Sequence, residues 1–277
     1  MIVVTGATGN VGRPLVQALA GAGAKVTAVS RTAAELPPGV PHLTADLADP
    51  ASLRAALTGA DALFLLIAGS GLELDPEALL GAAKAAGVGR VVLQSSQVVG
   101  TRPGVPSHAG LHAFEQAVQR SGLDWTVLRP GGFASNALLW AEPVRAHRTV
   151  AAPFGDVGLP VVDPADIAEV AAAVLLGDGH AGRTYELTGP ASVSPREQAA
   201  AIGAALGEPV RFLAQSAAEA RAQLLRFMPE PVVDGTLDIL GRPTAAEQRV
   251  GPDVERVLGR AARPFADWAQ RHAAAFR

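Results

Sequence analysis

The sequence predicts an α/β fold in which helices cover both faces of a parallel sheet, a doubly wound arrangement, with a small and mainly helical lobe in the last third of the chain. Two observations predict this fold. Short runs of β-forming residues alternate with helical stretches through the first half, an order that implies parallel strands. A glycine-rich segment also separates the first run from the first helical stretch. The runs are residues 2–4, 25–29, 43–44, 62–67, 90–93 and 125–128.

Helical segments are marked by periodicity and by capping residues. Val11, Leu15 and Leu19 recur every four residues, which places them on one helical face against the sheet. Ser194-Pro195-Arg196-Glu197 fits a capping box, and it predicts a helix that runs to about residue 206. Three further helix starts pair an acidic residue with a following proline, at Asp49, Asp75 and Asp163.

Composition and charge indicate a folded protein that acts on small molecules. The 277 residues are 49% hydrophobic and 18% charged, and they suffice for a core domain with a smaller lobe. The net charge is -3 and there is no basic run, so we expect no direct contact with nucleic acid. The longest apolar stretches, 62–68 and 167–176, are shorter than the roughly 20 residues that cross a membrane, and we expect no membrane partner.

The thiol inventory and the N-terminal segment restrict the chemistry and the compartment. The absence of cysteine excludes disulfides, thiolate nucleophiles and cysteine-ligated metals. Met1 is followed directly by a β-rich run and the glycine segment, which leaves no room for a leader peptide and predicts a cytoplasmic protein.

We predict a cofactor-binding core over residues 1–132. Of residues 133–277, about 161–188 return to that core, and about 133–160 and 189–277 form the substrate lobe.

The glycine segment predicts a Rossmann-type phosphate-binding turn. Gly6 permits the tight turn, Gly9 lets the backbone approach a pyrophosphate, and Gly12 lets the helix pack close to the strand. A turn that is glycine-rich by chance is the alternative, but a strand, a helix and a second strand follow in the expected order. The other residues assigned to the turn are Thr8, Asn10 and Val11.

The end of the second strand predicts NADP(H) as the cofactor. An acidic residue at this position binds the ribose hydroxyls of NAD(H), whereas a cation accommodates a 2′-phosphate. Here the chain has Ser30, Arg31 and Thr32, so Arg31 is assigned to the phosphate, although it could be an ordinary surface cation. Asp46 could contact the adenine or cap its local turn. Ala68, after the fourth strand, is also assigned to the cofactor site.

The catalytic pair of short-chain dehydrogenases, Tyr-x-x-x-Lys, is absent. The one tyrosine is Tyr185, followed four residues later by Gly189, and the two lysines are Lys25 and Lys84.

The chain nevertheless resembles the NmrA-like, atypical short-chain dehydrogenase family. The resemblance rests on the glycine turn and on residues 121–133, 166–168, 185–190, 194–206 and 259–276. That family includes NADPH-dependent quinone reductases and redox-sensing regulators that lack the catalytic tyrosine. The resemblance implies that the segment after Arg129 runs along the nicotinamide, so Pro130, Gly131 and Phe133 are expected to line that site.

Candidates for proton transfer and substrate contact follow from position. His112 lies on the helix that would carry the missing pair and is the predicted proton donor, with a surface role as the alternative; for His108 the surface role is favoured. Ser95 and Ser96 either hold the substrate or the nicotinamide amide, or simply end a strand. Trp140 either lines an apolar substrate pocket or packs the lobe. We expect no metal, since the histidine pair lacks a third ligand.

The leading hypothesis is a reductase that uses NADPH to reduce a small acceptor such as a quinone, an activated alkene or an imine. One alternative is a non-catalytic NADP(H) sensor that binds a partner protein. Another is a non-redox enzyme, such as an isomerase, that retains its cofactor. A homodimer is also possible.

Overall fold

The computed structural model describes residues 1–33, 35–69 and 71–277. Within these residues there are nine strands, six of which match the predicted runs to within a residue or two at each end. They are β1 Ile2–Thr5, β2 Val26–Ser30, β3 His42–Thr44, β4 Ala62–Leu66, β5 Arg90–Gln94, β6 Asp124–Pro130, β7 Thr149–Ala152, β8 Arg183–Leu187 and β9 Arg211–Ala214.

The helices follow the predicted alternation in the first half and dominate the last third. They are α1 Gly12–Gly21, α2 Arg54–Leu57, α3 Pro76–Ala85, α4 Gln97–Thr101, α5 Ala109–Arg120, α6 Ala141–His147, α7 Pro164–Leu176, α8 Pro195–Leu206, α9 Ala217–Leu224, α10 Glu230–Gly241, α11 Ala245–Gln248, α12 Asp253–Leu258 and α13 Phe265–Arg271. Short 3-10 segments span Pro50–Leu53, Pro106–His108, Ala134–Trp140 and Ala273–Phe276.

The main sheet has seven parallel strands in the order β3-β2-β1-β4-β5-β6-β8. The direction of strand addition reverses between β1 and β4, and ligands of open α/β sheets bind at the carboxyl ends of the strands at such a point. A separate parallel pair, β7 and β9, lies in the C-terminal region. The predicted doubly wound fold is therefore confirmed.

Alternate strand residues fill two cores, one on each face of the sheet. Val4, Phe64 and Val92 pack with Leu15 of α1 and Ile167 of α7 on the first face. On the second face, Val3, Leu63 and Val91 pack against α3 and α5. The predicted row on α1 is confirmed, because Val11, Leu15 and Leu19 are all buried. Burial on both faces explains why these strands are continuously apolar instead of alternating with polar residues.

Predicted capping residues begin the helices as expected. Asp49, Asp75 and Asp163 each accept a hydrogen bond from a backbone amide in the first turn that follows. At α8 the capping box is complete: the Ser194 hydroxyl accepts from the Glu197 amide, and the Glu197 carboxylate accepts from the Ser194 amide at 2.7 Å. None of the helices in the described ranges combines the length and the hydropathy needed to span a membrane.

The C-terminal helices pack as a lobe with its own core. Trp268 of α13 is fully buried there, with Phe265 and Phe276 beside it and α8 against it. Ion pairs join the segment between α12 and α13 to α7. Arg260 and Arg263 both bind Asp166, which is completely buried. The lobe is thereby attached to the helix that packs on the sheet.

Ser194→Ala is expected to lower the free energy of unfolding by about 1 kcal/mol, because it leaves the Glu197 amide without its cap. The measurement is a urea titration compared with Ser192→Ala, two residues earlier, where the exposed hydroxyl makes no hydrogen bond to the described residues. Equal midpoints for the two variants would contradict the assignment of the cap.

Candidate active site

A close backbone contact shapes the glycine turn between β1 and α1. Gly6 has a φ of +62°, a left-handed conformation that favours glycine. A Cβ atom on Gly12 would lie only 2.1 Å from the Gly6 carbonyl oxygen, so any larger residue would push α1 away from the turn. The close packing of helix and strand that the sequence predicted for Gly12 is therefore present.

The turn leaves backbone amides free to bind an anion. The Gly9 amide donates to Gly6 O at 3.0 Å and the Arg13 amide to Gly9 O at 3.1 Å. The amides of Asn10, Val11 and Gly12 have no acceptor within the described parts of the chain. Together with the positive end of α1, these amides suit the pyrophosphate of a dinucleotide.

Gly9 borders open space, where the pyrophosphate of a cofactor would lie. Gly9 is exposed, and the one atom near a Cβ built there would be the Gly6 oxygen at 3.3 Å. Thr8 is half-buried in the same turn. The residues present thus fit a bound dinucleotide cofactor.

The glycine turn touches the segment that follows β6. The Asn10 side-chain amide donates to the Ser135 hydroxyl at 3.2 Å, although the two residues are 125 positions apart. Gly131 continues the pairing of β6 with β8 through a hydrogen bond to Leu187 O at 2.9 Å, and Phe133 packs half-buried against the core beneath α1. The segment of Pro130, Gly131 and Phe133 therefore adjoins the turn.

The residues assigned to the adenosine end lie at the carboxyl end of β2. The Ser30 hydroxyl donates to Thr32 O at 2.6 Å and lies 2.8 Å from His42 Nε2, so it shapes the local bend. Arg31 and Thr32 are exposed, and Arg31 forms no ion pair with the described residues. Its guanidinium is thus available to a ligand.

Asp46 and Ala68 follow β3 and β4, two strands that are separated in the sheet by β2 and β1. Asp46 Oδ1 accepts from the Ala48 amide at 3.0 Å, which is the turn-capping role that sequence analysis offered as the alternative. Ala68 is exposed just beyond β4, at the same edge of the sheet. Their contacts with a cofactor stay predictions.

Ser95 and Ser96 are both engaged by the protein. The Ser95 hydroxyl donates to the Glu115 carboxylate, and the Ser96 hydroxyl accepts from the Val98 amide at 3.3 Å, capping α4. Both residues thus lie just after β5 with their hydroxyls bonded within the protein, in line with the alternative that they end a strand. A direct contact of either hydroxyl with a ligand stays a prediction.

Glu115 is the centre of a buried network, and no pattern in the sequence pointed to it. Its carboxylate accepts two hydrogen bonds from Arg129, at 3.0 Å and 2.6 Å, besides the one from Ser95. This bond to Glu115 is the main reason that the pKa of Arg129 is raised. Arg129 also packs against Gly100 of α4, so the network joins β5, β6, α4 and α5.

The two histidines have different environments. His112 is exposed on α5, and its Nε2 accepts from the Gln116 side-chain amide at 2.9 Å. His108 ends the preceding 3-10 segment and lies outside α5, half-buried, with Nδ1 3.0 Å from the Ser107 hydroxyl. Burial lowers the pKa of His108, which favours the neutral imidazole.

Trp140 lies at the end of the 3-10 segment that follows Phe133. It is half-buried and packs against the lobe core, as does Leu138, whereas Leu139 between them is 65% exposed. Packing in the lobe, which sequence analysis held as the alternative, accounts for the contacts of Trp140.

Comparisons with known proteins match the chain over nearly its whole length. A family model described as NAD(P)H-binding matches residues 6–178. A (4-alkanoyl-5-oxo-2,5-dihydrofuran-3-yl)methyl phosphate reductase of Streptomyces griseus is 41% identical over 100% of this chain and 99% of its own. An NAD(P)H azoreductase of Xenophilus azovorans is 36% identical over 100% and 99%. The crystal structure of NADPH-dependent quinone oxidoreductase from Escherichia coli in complex with NADPH has a TM-score of 0.81 at 26% identity, covering 98% and 99% of the two chains.

Gly9→Val is expected to abolish NADPH binding while the protein stays folded, because the branched side chain would enter the space meant for the pyrophosphate. Binding is measured by calorimetric titration and folding by thermal denaturation. Gly21→Ala, in a position with no neighbour within 4 Å, is the control and should bind like the parent. Unchanged NADPH affinity in folded Gly9→Val would refute the role of the turn.

Proposed function

Because the chain belongs to the NAD(P)H-binding family and is an oxidoreductase, we propose that it uses NADPH to reduce a small conjugated acceptor, namely an activated alkene or a quinone, with imines as a further class. The observation that carries this proposal is the full-length similarity to two reductases, together with a turn built to hold the cofactor.

The relatives support a conjugated acceptor. The name of the Streptomyces griseus enzyme describes a dihydrofuran ring with an oxo and an alkanoyl group, which is an activated alkene. The other two names specify azo compounds and quinones. Hydride transfer to a quinone leaves a stabilised hydroquinone anion, which needs little help from an acid. Hydride transfer to an activated alkene leaves an enolate, which is also stabilised by delocalisation but still has to take up a proton. This stabilisation of both anions fits a chain without the Tyr-x-x-x-Lys pair.

When bound, NADPH supplies the hydride, and the protein supplies orientation and exclusion of water. The free amides of Asn10, Val11 and Gly12 would hold the pyrophosphate. Arg31 would pair with the 2′-phosphate, and Pro130 with Gly131 would form the wall beside the nicotinamide. The Glu115–Arg129 pair keeps that wall in place, since Arg129 directly precedes Pro130.

A sensor without turnover is the less supported hypothesis. The relatives that match the whole chain are named as reductases, and similarity over 99% of their length includes the lobe that would cover the acceptor. We therefore keep catalysis as the proposed function.

Arg31→Ala is expected to lower NADPH affinity about 10-fold to 150-fold and to leave NADH affinity unchanged, because it removes a charge-assisted hydrogen bond to the 2′-phosphate. Fluorescence titration with both cofactors measures the two constants. Arg54→Ala, at an exposed position on α2, serves as the control. If the parent binds NADH and NADPH equally well, Arg31 does not select the cofactor.

The reaction itself is tested by loss of NADPH absorbance with a cyclic enone, a naphthoquinone and an imine. We expect turnover of the enone and the quinone by the parent. His112→Ala is expected to slow the enone by about 100-fold or more, as for loss of a general acid, and to slow the quinone only a few-fold, with NADPH affinity unchanged.

The control for this substitution is His147→Ala, which removes an exposed histidine from the end of α6. Equal rates for His112→Ala and the parent on the enone would show that water or the substrate provides the proton. No turnover of any of the three acceptors would contradict the proposed function.

A further inference from the structure

Gln94 carries a buried polar group that the protein does not satisfy. It is the last residue of β5 and only 8% exposed. Within the described residues, its Oε1 is the single buried side-chain oxygen or nitrogen without a hydrogen-bond partner. Unpaired buried polar groups are rare and costly, so each one calls for an explanation.

The sheet register places Gln94 in the row of the glycine turn. Gln94 lies opposite Leu66 of β4 and Leu128 of β6. Leu66 in turn contacts the turn, since a Cβ on Gly6 would lie 3.0 Å from Leu66 Cδ2. With strands about 4.8 Å apart, Gln94 is roughly 10 Å from Gly6 along the carboxyl edge.

The direction of this displacement identifies the part of the cofactor that Gln94 would meet. Arg31, assigned to the adenosine phosphate, lies on the β2 side of the glycine turn, whereas Gln94 lies on the β5 side. A dinucleotide whose pyrophosphate rests on the turn extends its nicotinamide half toward β5. The flanking Leu66 and Leu128 side chains offer no polar partner.

We infer that Gln94 is a binding residue for the nicotinamide carboxamide. A primary amide has both donors and an acceptor, so the carboxamide N–H can donate to Gln94 Oε1 while its oxygen accepts from Gln94 Nε2. A leucine in this apolar row would fold at least as well, which means that the glutamine serves the ligand. The inference rests on the NADPH binding of the proposed function and requires no turnover.

The test compares Gln94→Met with the parent on three ligands. NADP⁺ carries the carboxamide, its 3-acetylpyridine analogue lacks the N–H donors, and adenosine 2′,5′-bisphosphate lacks the nicotinamide half. For Gln94→Met we expect about a tenfold loss of NADP⁺ affinity, a smaller loss for the analogue, whose oxygen can still accept from Nε2 in the parent, and none for the bisphosphate. The ligand-free variant should melt no lower than the parent, because an unpaired polar group has been removed.

Gln94→Leu provides a second variant, in case the methionine packs poorly. Gln119→Met, at an exposed position on α5, is the control for the substitution itself. NADP⁺ affinity within twofold of the parent would overturn the inference and leave the proposed function intact. An equal loss for NADP⁺ and the analogue would overturn it in favour of a ribose contact. A loss for the bisphosphate as well would show that the effect of the substitution is not confined to the nicotinamide half, and it would overturn the inference. A parent that binds none of the three ligands would contradict the proposed function itself.

Discussion

The contact between the Gly12 backbone and the Gly6 carbonyl oxygen is the constraint on which this edge of the molecule depends. It holds α1 directly against the end of β1, where no side chain would fit. Because α1 is fixed there, Leu15 and Leu19 lie over the sheet and pack with α7 in one core. The same contact directs the first amides of α1 to the crevice beside the strand ends. Core packing and anion binding therefore share one origin.

A buried ion pair supports the other side of the crevice. Glu115 is nearly inaccessible, and its carboxylate is matched by the planar guanidinium of Arg129 through two hydrogen bonds, with Ser95 as the third donor. Removing one member of such a pair leaves a buried charge and typically costs about 3–5 kcal/mol. The network therefore ties the ends of β5 and β6 to α5.

Features with a local signal were predictable from the sequence, and those that depend on distant partners were not. The four-residue spacing on α1, the capping box at Ser194 and the glycine turn each involve residues within one or two helical turns. Glu115 gave no such signal, because its partners are 14 and 20 residues away. The contact of Asn10 with Ser135 spans 125 residues. Gln94 ends an apolar strand, where a polar residue is not unusual in the sequence, and its lack of a hydrogen-bond partner is visible only in three dimensions.

The ion pairs of α7 join residues that the ribosome synthesises at well separated times. Asp163 and Asp166 are buried, and their cations Arg271, Arg260 and Arg263 follow 94 to 108 residues later. At about 5–20 residues per second, a ribosome needs roughly 5–20 seconds to cover that distance. During this interval α7 can pack on the sheet only with unpaired acids. The contacts of these two acids in the core are thus completed only after the arginines of the C-terminal region have been translated.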